Sequence, residues 1–275
     1  MSSWTRATSC SFAVPRPSTP GAIRRRYGAD LGYWSFYLKT GAPRLARRLA
    51  LRAYRHDRRD PEAMWAELQA ILASLQDPDL RRLMRAIFDD PDVAARFRKA
   101  PAAKSIHHAW LGGLLEHNLS VYRVIEGLCA HYASEAPGLL DRDLCVAGGL
   151  LHDFGKIDEL SAEGGAIEYT HEGKLIGHLV QCALKLAAVA ATLPGFPQAR
   201  LTALQHIVLA HHDRLDFGSP KTPMTAEAFV VHAADQLDSR LCYLRQLCER
   251  EPAGWSSYQK VFDRPFFLPR LPRPE

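Results

Sequence analysis

The sequence predicts an all-α protein: a helical bundle preceded by a short, irregular, basic N-terminal arm. Three observations carry this expectation. From Asp60 onward, apolar residues recur at three- and four-residue spacing through almost every segment. Three Asp-Pro steps, Asp60-Pro61, Asp77-Pro78 and Asp90-Pro91, read as helix starts, with Asp as N-cap and Pro at the first helical position. Only Ala166-Ile167-Glu168-Tyr169-Thr170 resembles a strand, and it reads equally well as a loop.

Taken in order, residues 1–30 contain Pro15, Pro17 and Pro20, several serines and no periodic apolar pattern, so they are expected to be irregular. Residues 31–55 are expected to hold one basic amphipathic helix around Leu45, Leu49 and Leu51. After Asp60, the residues Trp65, Leu68, Ile71, Leu72 and Leu75 fall at helical spacing. A second helix follows Asp77-Pro78 with Leu80, Leu83, Met84 and Ile87, and a third, short one follows Asp90-Pro91. Further helices are expected near 107–133, 141–155, 172–192, 198–212 and 224–250. Four prolines from Phe262 onward break any helix, so the tail is expected to be extended. The resulting division is an arm over 1–59, a main domain over 60–265 and a Pro-rich tail over 266–275.

The chain has 275 residues and is 47% hydrophobic, enough for a sizeable core. No apolar run approaches the roughly 18 residues of a membrane span, and Ser11-Phe12-Ala13-Val14 is too short for a signal-peptide core, so a cytoplasmic location is expected. Cys10, Cys129, Cys145, Cys182, Cys242 and Cys248 form no Cys-x-x-Cys pair, and four of them lie among apolar neighbours, which reads as small buried hydrophobes. Net charge is +5, unevenly spread. Residues 1–59 hold 13 Lys/Arg against Asp30 and Asp57, leaving 22 basic and 28 acidic residues in the remainder. Such an arm is able to contact phosphate backbones, and it reads equally as a solvated segment or a transit-like sequence.

Imidazoles and carboxylates are costly to bury without a partner. Here they recur on apolar faces. His117 shares a helical face with Leu114, Val121, Val124 and Leu128. His152-Asp153 follows Ala147-Gly148-Gly149-Leu150-Leu151, with Gly155 expected to end that helix. His178 aligns with Leu175, Cys182 and Leu186, and His211 with Leu204, Ile207 and Val208. Asp235 sits in Val230-Val231-His232-Ala233-Ala234-Asp235-Gln236-Leu237. Each alone is more often a hydrogen-bonded core residue. Together they suit a site of mixed imidazole and carboxylate ligands for Mn, Fe, Zn, Ni or Co. More ligands than one ion needs suggest two divalent ions, with Asp153 bridging.

The order His, then His-Asp, then Asp resembles the HD superfamily of metal-dependent phosphohydrolases, with His117, His152, Asp153 and Asp235 at its four positions. His178 and His211 match the extra histidines of its two-metal branches, with His212 a substitute for His211. The text around these residues is more specific. Segments 102–121, 169–178 and 210–221 are similar to the HD domain of bacterial 3′-to-5′ exoribonucleases of the OB-fold-plus-HD type, and the similarity runs from about Asp60 to Pro265. The resemblance implies an HD-domain helical bundle, metal-dependent phosphodiester hydrolysis and an RNA substrate. Residues 1–59 are too short for the five-stranded OB-fold that such enzymes carry, and they lack its alternating pattern.

The mechanism that the resemblance implies places Asp153 at the chemistry. Lys156, just after the doublet, is a candidate for holding a phosphate oxygen and reads equally as a cation at a helix C-terminus. Lys104, His107, His108 and Lys221 are candidates for contacting substrate phosphate. Two substrate readings stand: a 3′-to-5′ exonuclease on RNA or single-stranded DNA, and a phosphohydrolase of small or cyclic nucleotides. The Gly-Tyr-Pro motif of the cyclic-dinucleotide branch is absent. A non-catalytic nucleotide-binding module is disfavoured, since every expected ligand is present.

Overall fold

The structure is a computed structural model that describes residues 59–104, 108–162 and 166–270. The basic arm up to Arg58, His107, Cys10 and the last five residues of the tail lie outside the described residues.

The three Asp-Pro steps begin three short helices. Helix α1 (Pro61–Ser74), α2 (Pro78–Phe88) and α3 (Pro91–Phe97) each carry Pro in the first turn, and the Asp60, Asp77 and Asp90 side chains accept first-turn amides. Asp77 Oδ1 accepts from Asp79 N and Leu80 N, both at 2.9 Å. The apolar residues of α1 and α2 pack into one core, with Leu68, Leu72, Leu80, Leu83 and Met84 fully buried.

Helices α4 (Gly113–Glu135), α5 (Arg142–Leu151), α8 (His178–Ala191), α9 (Gln198–Ala210) and α10 (Ala226–Arg250) form the bundle proper. Helix α5 is its centre, packed by α4, α9 and α10. The close approach depends on small residues in α5. A Cβ at Gly149 would lie 2.2 Å from Ile125 Cδ1 of α4, and one at Gly148 would lie 2.8 Å from Ile207 Cγ2 of α9. Short elements connect these helices: α6 (Lys156–Glu159), α7 (His171–Ile176) and a two-stranded ribbon of β1 (Leu160–Ser161) and β2 (Glu168–Tyr169). A second ribbon pairs β3 (Gly254–Trp255) with β4 (Phe267–Leu268).

The architecture is the all-α bundle that the sequence predicts, with local differences. The helix expected from 107 begins at Gly113, because His108 and Gly112 take positive φ and the chain turns there. The helix expected over 141–155 stops at Leu151. Gly155 is not its terminator: it has ordinary right-handed geometry at the start of α6. The segment 172–192 is two helices, because Gly177 takes φ +77° between α7 and α8. Leu175 is therefore exposed on α7 and shares no face with His178. Glu168 and Tyr169, within the ambiguous segment, pair with β1, and part of the extended tail pairs as β4.

Two features tie α1–α3 to the bundle. Phe88, Phe97 and Phe154 stack edge to face, with Phe88 5.1 Å from Phe97 and 6.0 Å from Phe154. Phe154 follows the His152-Asp153 doublet, so this cluster anchors the turn that carries it. Asp143 of α5, 7% exposed, accepts the amides of Gln76 and Asp77 in the α1–α2 turn. Asp143→Ala is expected to leave both amides buried without an acceptor and to cost about 2–4 kcal/mol, read as a lower chemical-denaturation midpoint with an unchanged m-value.

Candidate metal centre

The sequence places histidines and carboxylates on five helices or their ends, and the packing around α5 brings them to one point. His117 lies in the first two turns of α4. His152 caps the C-terminus of α5, with Asp153 in the turn beyond it. His178 opens α8, His211 caps α9, and Asp235 lies in α10. His117, His152 and His211 are at most 1% exposed, as is Asp153.

The Asp153 carboxylate divides the cluster. Its Oδ2 lies 3.6 Å from His117 Nε2 and 3.4 Å from His152 Nε2. Asp235 Oδ1 joins that side, 3.2 Å from His117 Nε2 and 3.7 Å from His152 Nε2. The other oxygen, Oδ1, lies 3.4 Å from His178 Nε2 and 3.6 Å from His211 Nε2. His212 completes that second set: ligand atoms of Asp153, His178, His211 and His212 all lie within 4.8 Å of one another. Both histidines of the His211-His212 pair are therefore within reach, their rings 4.2 Å apart.

The far nitrogen of each buried histidine settles which nitrogen faces inward. His152 Nδ1 donates to Gly149 O at 2.7 Å, and His211 Nδ1 donates to Val208 O at 2.8 Å. His117 Nδ1 donates to Asp238 Oδ2 at 2.8 Å, and His178 Nδ1 to Glu159 Oε1 at 3.0 Å. These partners only accept, so each Nδ1 carries a proton and each ring turns its Nε2 edge toward Asp153. His117 Nε2 and His152 Nε2 then face each other at 3.2 Å. Asp153 Oδ1, His178 Nε2 and His211 Nε2 are buried with no hydrogen-bond partner. Buried acceptors that converge without a donor are unfavourable unless a cation lies among them. This donor set fits divalent metal ions.

The charges agree. Burial opposes ionisation of Asp153, but Lys156 and His152 outweigh it and hold its pKa well below the carboxylate range. Asp235 behaves likewise: burial raises it, and His117 and His152 bring it well below. Burial works against a charge on His152, yet Asp153 and Asp235 push its pKa up to about 10, so this side of the cluster attracts positive charge. Burial lowers His178 and His211, and His212 falls to about 4 through burial and the neighbouring His211. Neutral imidazoles are the ligating form.

The other predicted residues divide. Lys156 Nζ lies 2.6 Å from Asp153 Oδ2 in the interior, so it is the counter-ion of the central carboxylate and not a free helix-end cation. Burial opposes its charge, and Asp153 holds its pKa above the ordinary lysine value. His108, expected to face substrate, is 2% exposed, and its Nε2 lies 3.2 Å from Asp238 Oδ2, behind His117. Lys104 is exposed and pairs with Glu168 at 2.6 Å. Lys221 is exposed in its turn. Neither lysine makes a polar contact with the cluster among the described residues.

Two bracing carboxylates escaped the sequence reading. Asp238 holds His117, His108 and the Ser120 hydroxyl, and it stands one helical turn beyond Asp235, so its spacing was the available signal. Glu159 accepts from both His178 N at 3.1 Å and His178 Nδ1. It comes six residues after Asp153, across a turn, and no helical spacing pointed to it.

Residues 114–240 match the HD domain family. The chain is 34% identical over 218 residues to the 3′-5′ exoribonuclease YhaM of Halalkalibacterium halodurans, covering 78% of this chain and 65% of that protein. It is 35% identical to YhaM of Shouchella clausii, covering 76% and 63%, and 34% identical to YhaM of Bacillus subtilis, covering 71% and 60%. The chain thus spans less than two thirds of the length of these relatives. No solved structure matches it. No described helix is long and apolar enough to cross a membrane.

Proposed function

We propose that the chain, whose residues 114–240 match the HD domain family, is a metal-dependent phosphodiesterase that shortens RNA from its 3′ end. The observation that carries the metal part is the split Asp153 carboxylate, with one oxygen toward His117, His152 and Asp235 and the other toward His178, His211 and His212. That arrangement suits two divalent ions sharing Asp153. The RNA part is supported by the 3′-5′ exoribonuclease relatives.

Divalent ions held by these histidines and aspartates would supply Lewis acidity and make a water molecule acidic enough to act as a nucleophile near neutral pH. The protein's own residues do the rest. Asp238 and Glu159 fix the rings of His117 and His178, and the Gly149 and Val208 carbonyls fix those of His152 and His211. Lys156 holds Asp153 in register and adds a fixed positive charge where phosphoryl oxygens gain negative charge in the transition state. In this reading the oxygen of water bonds to phosphorus as the bond to the ribose 3′-oxygen of the penultimate nucleotide breaks, and that oxygen ends with the proton that the water gives up.

The test is the full chain with Mn²⁺, incubated with a 5′-labelled oligoribonucleotide and, in parallel, with linear and cyclic mononucleotides. A ladder shortened from the 3′ end is expected. Turnover of mononucleotide substrates alone would assign the small-nucleotide reading instead. Absence of hydrolysis on every phosphoester with metal bound would overturn both. The braces have their own expected outcome. Glu159→Ala leaves His178 Nδ1 without its acceptor and is expected to weaken one of two Mn²⁺ binding events about 10- to 100-fold by calorimetry, leaving the other near its wild-type value.

A further inference from the structure

We infer that a cleft one helical turn from His178 binds a nucleotide: its base on apolar walls, its phosphate at the rim. This rests on the RNA reading above and extends it to a subsite. The cleft has a volume of about 870 Å³, within the roughly 300–1,000 Å³ range of small-molecule sites. None of the histidines or aspartates of the metal cluster lines it. It opens on the same elements one step further on. Ile157 and Asp158 follow Lys156, Gln181 stands one turn beyond His178 on α8, and Thr170 and Glu172 flank Glu159's side of α7. Glu159, which braces His178, lies between Asp158 and Leu160 of the cleft wall.

The lining has the chemistry a nucleotide needs. Pro101, Leu111, Ile157, Leu160 and Leu184 give apolar surface for a flat ring. Leu184 is 61% exposed, an apolar surface left open at the cleft. Among these walls Gln181 is 9% exposed, and its Oε1 is buried without a hydrogen-bond partner. An unpaired amide oxygen enclosed beneath an apolar wall is unfavourable, and rotation of the Gln181 side chain toward the cleft lets the donor edge of a base relieve it. At the rim, Arg96 and Lys185 both hold Asp158, which consumes one carboxylate between two cations. Lys99 is exposed and forms no ion pair among the described residues, so it remains for a phosphate. A nucleotide within the RNA strand and a free mononucleotide share this chemistry.

The experiment measures binding, so it does not depend on turnover. The full Mn²⁺-loaded chain is titrated with a fluorescent phosphorothioate oligoribonucleotide and, separately, with a fluorescent 5′-mononucleotide. Gln181→Leu keeps the wall but removes the amide, and Lys99→Glu reverses the rim charge. Each is expected to weaken binding of at least one ligand by about tenfold. Mn²⁺ stoichiometry and hydrolysis of bis(p-nitrophenyl) phosphate, a diester without a nucleobase, are expected to stay at wild-type values. Loss of mononucleotide affinity assigns the cleft to free nucleotide, and loss of oligoribonucleotide affinity alone assigns it to the strand. Wild-type affinity for both ligands in both variants overturns the cleft inference. Wild-type protein that hydrolyses the nitrophenyl diester but neither binds nor cuts RNA overturns the RNA reading instead, and retained mononucleotide binding lost in the variants would then still uphold the cleft.

Discussion

Asp153→Asn is expected to lower phosphodiester turnover by more than about 100-fold, beyond the range seen when only a bracing residue is removed, and to reduce Mn²⁺ binding below two ions per chain. Both oxygens of this carboxylate are committed, Oδ2 toward His117 and His152 and Oδ1 toward His178 and His211. An asparagine is neutral and offers one acceptor oxygen and an amide nitrogen with no lone pair to give, so both sets of histidines lose the negative charge and one set also loses its oxygen. The fold is expected to persist, because asparagine keeps the volume and its oxygen still accepts from Lys156 Nζ, now 2.6 Å from Oδ2. Calorimetric Mn²⁺ titration and helical circular dichroism on the same sample separate the two effects. Wild-type turnover with two ions bound would remove Asp153 from the bridging position.

Gly155→Ala is expected to destabilise the protein by about 2–4 kcal/mol and to remove the ion on the His178 side. The backbone of Gly155 has φ −61° and ψ −16°, which alanine adopts freely, so the effect is steric. A Cβ there would lie 2.1 Å from the carbonyl oxygen of His178 and 2.9 Å from its Cα. Those atoms are backbone, so no rotamer relieves the contact. The start of α8 must move, and His178 moves with it. Gly127→Ala is the control: its Cβ meets nothing within 4 Å in the middle of α4, and it is expected to gain about 1 kcal/mol from helix propensity. Denaturation midpoints and metal stoichiometry for the two variants check both expectations. A Gly155→Ala protein with wild-type stability and two bound ions would show that the α6–α8 contact is looser than the packing requires.

Much of this was legible in the residues. The Asp-Pro starts of α1, α2 and α3 are local chemistry, an N-cap oxygen followed by a residue that has no amide to satisfy, and they occur where the sequence puts them. The apolar faces of α4, α9 and α10 carry their histidines and aspartates inward because helical spacing alone sets which side chains share a face. The break at Gly177 was not legible, since apolar residues continue at helical spacing across it while its φ of +77° turns the chain. Nor was the burial of His108, which depends on Asp238 some 130 residues later in the chain.

The sequence by itself determined the helical class, the helix starts and the ligand types, because each follows from residues within one or two turns of one another. Only the tertiary structure decided which atom meets which: that Asp153 turns one oxygen to each histidine set, that Lys156 is its buried counter-ion, and that Asp238 and Glu159 brace the rings. Those facts rest on distances set by the packing of α4, α5, α8, α9 and α10, and such distances are long-range properties that no local spacing encodes.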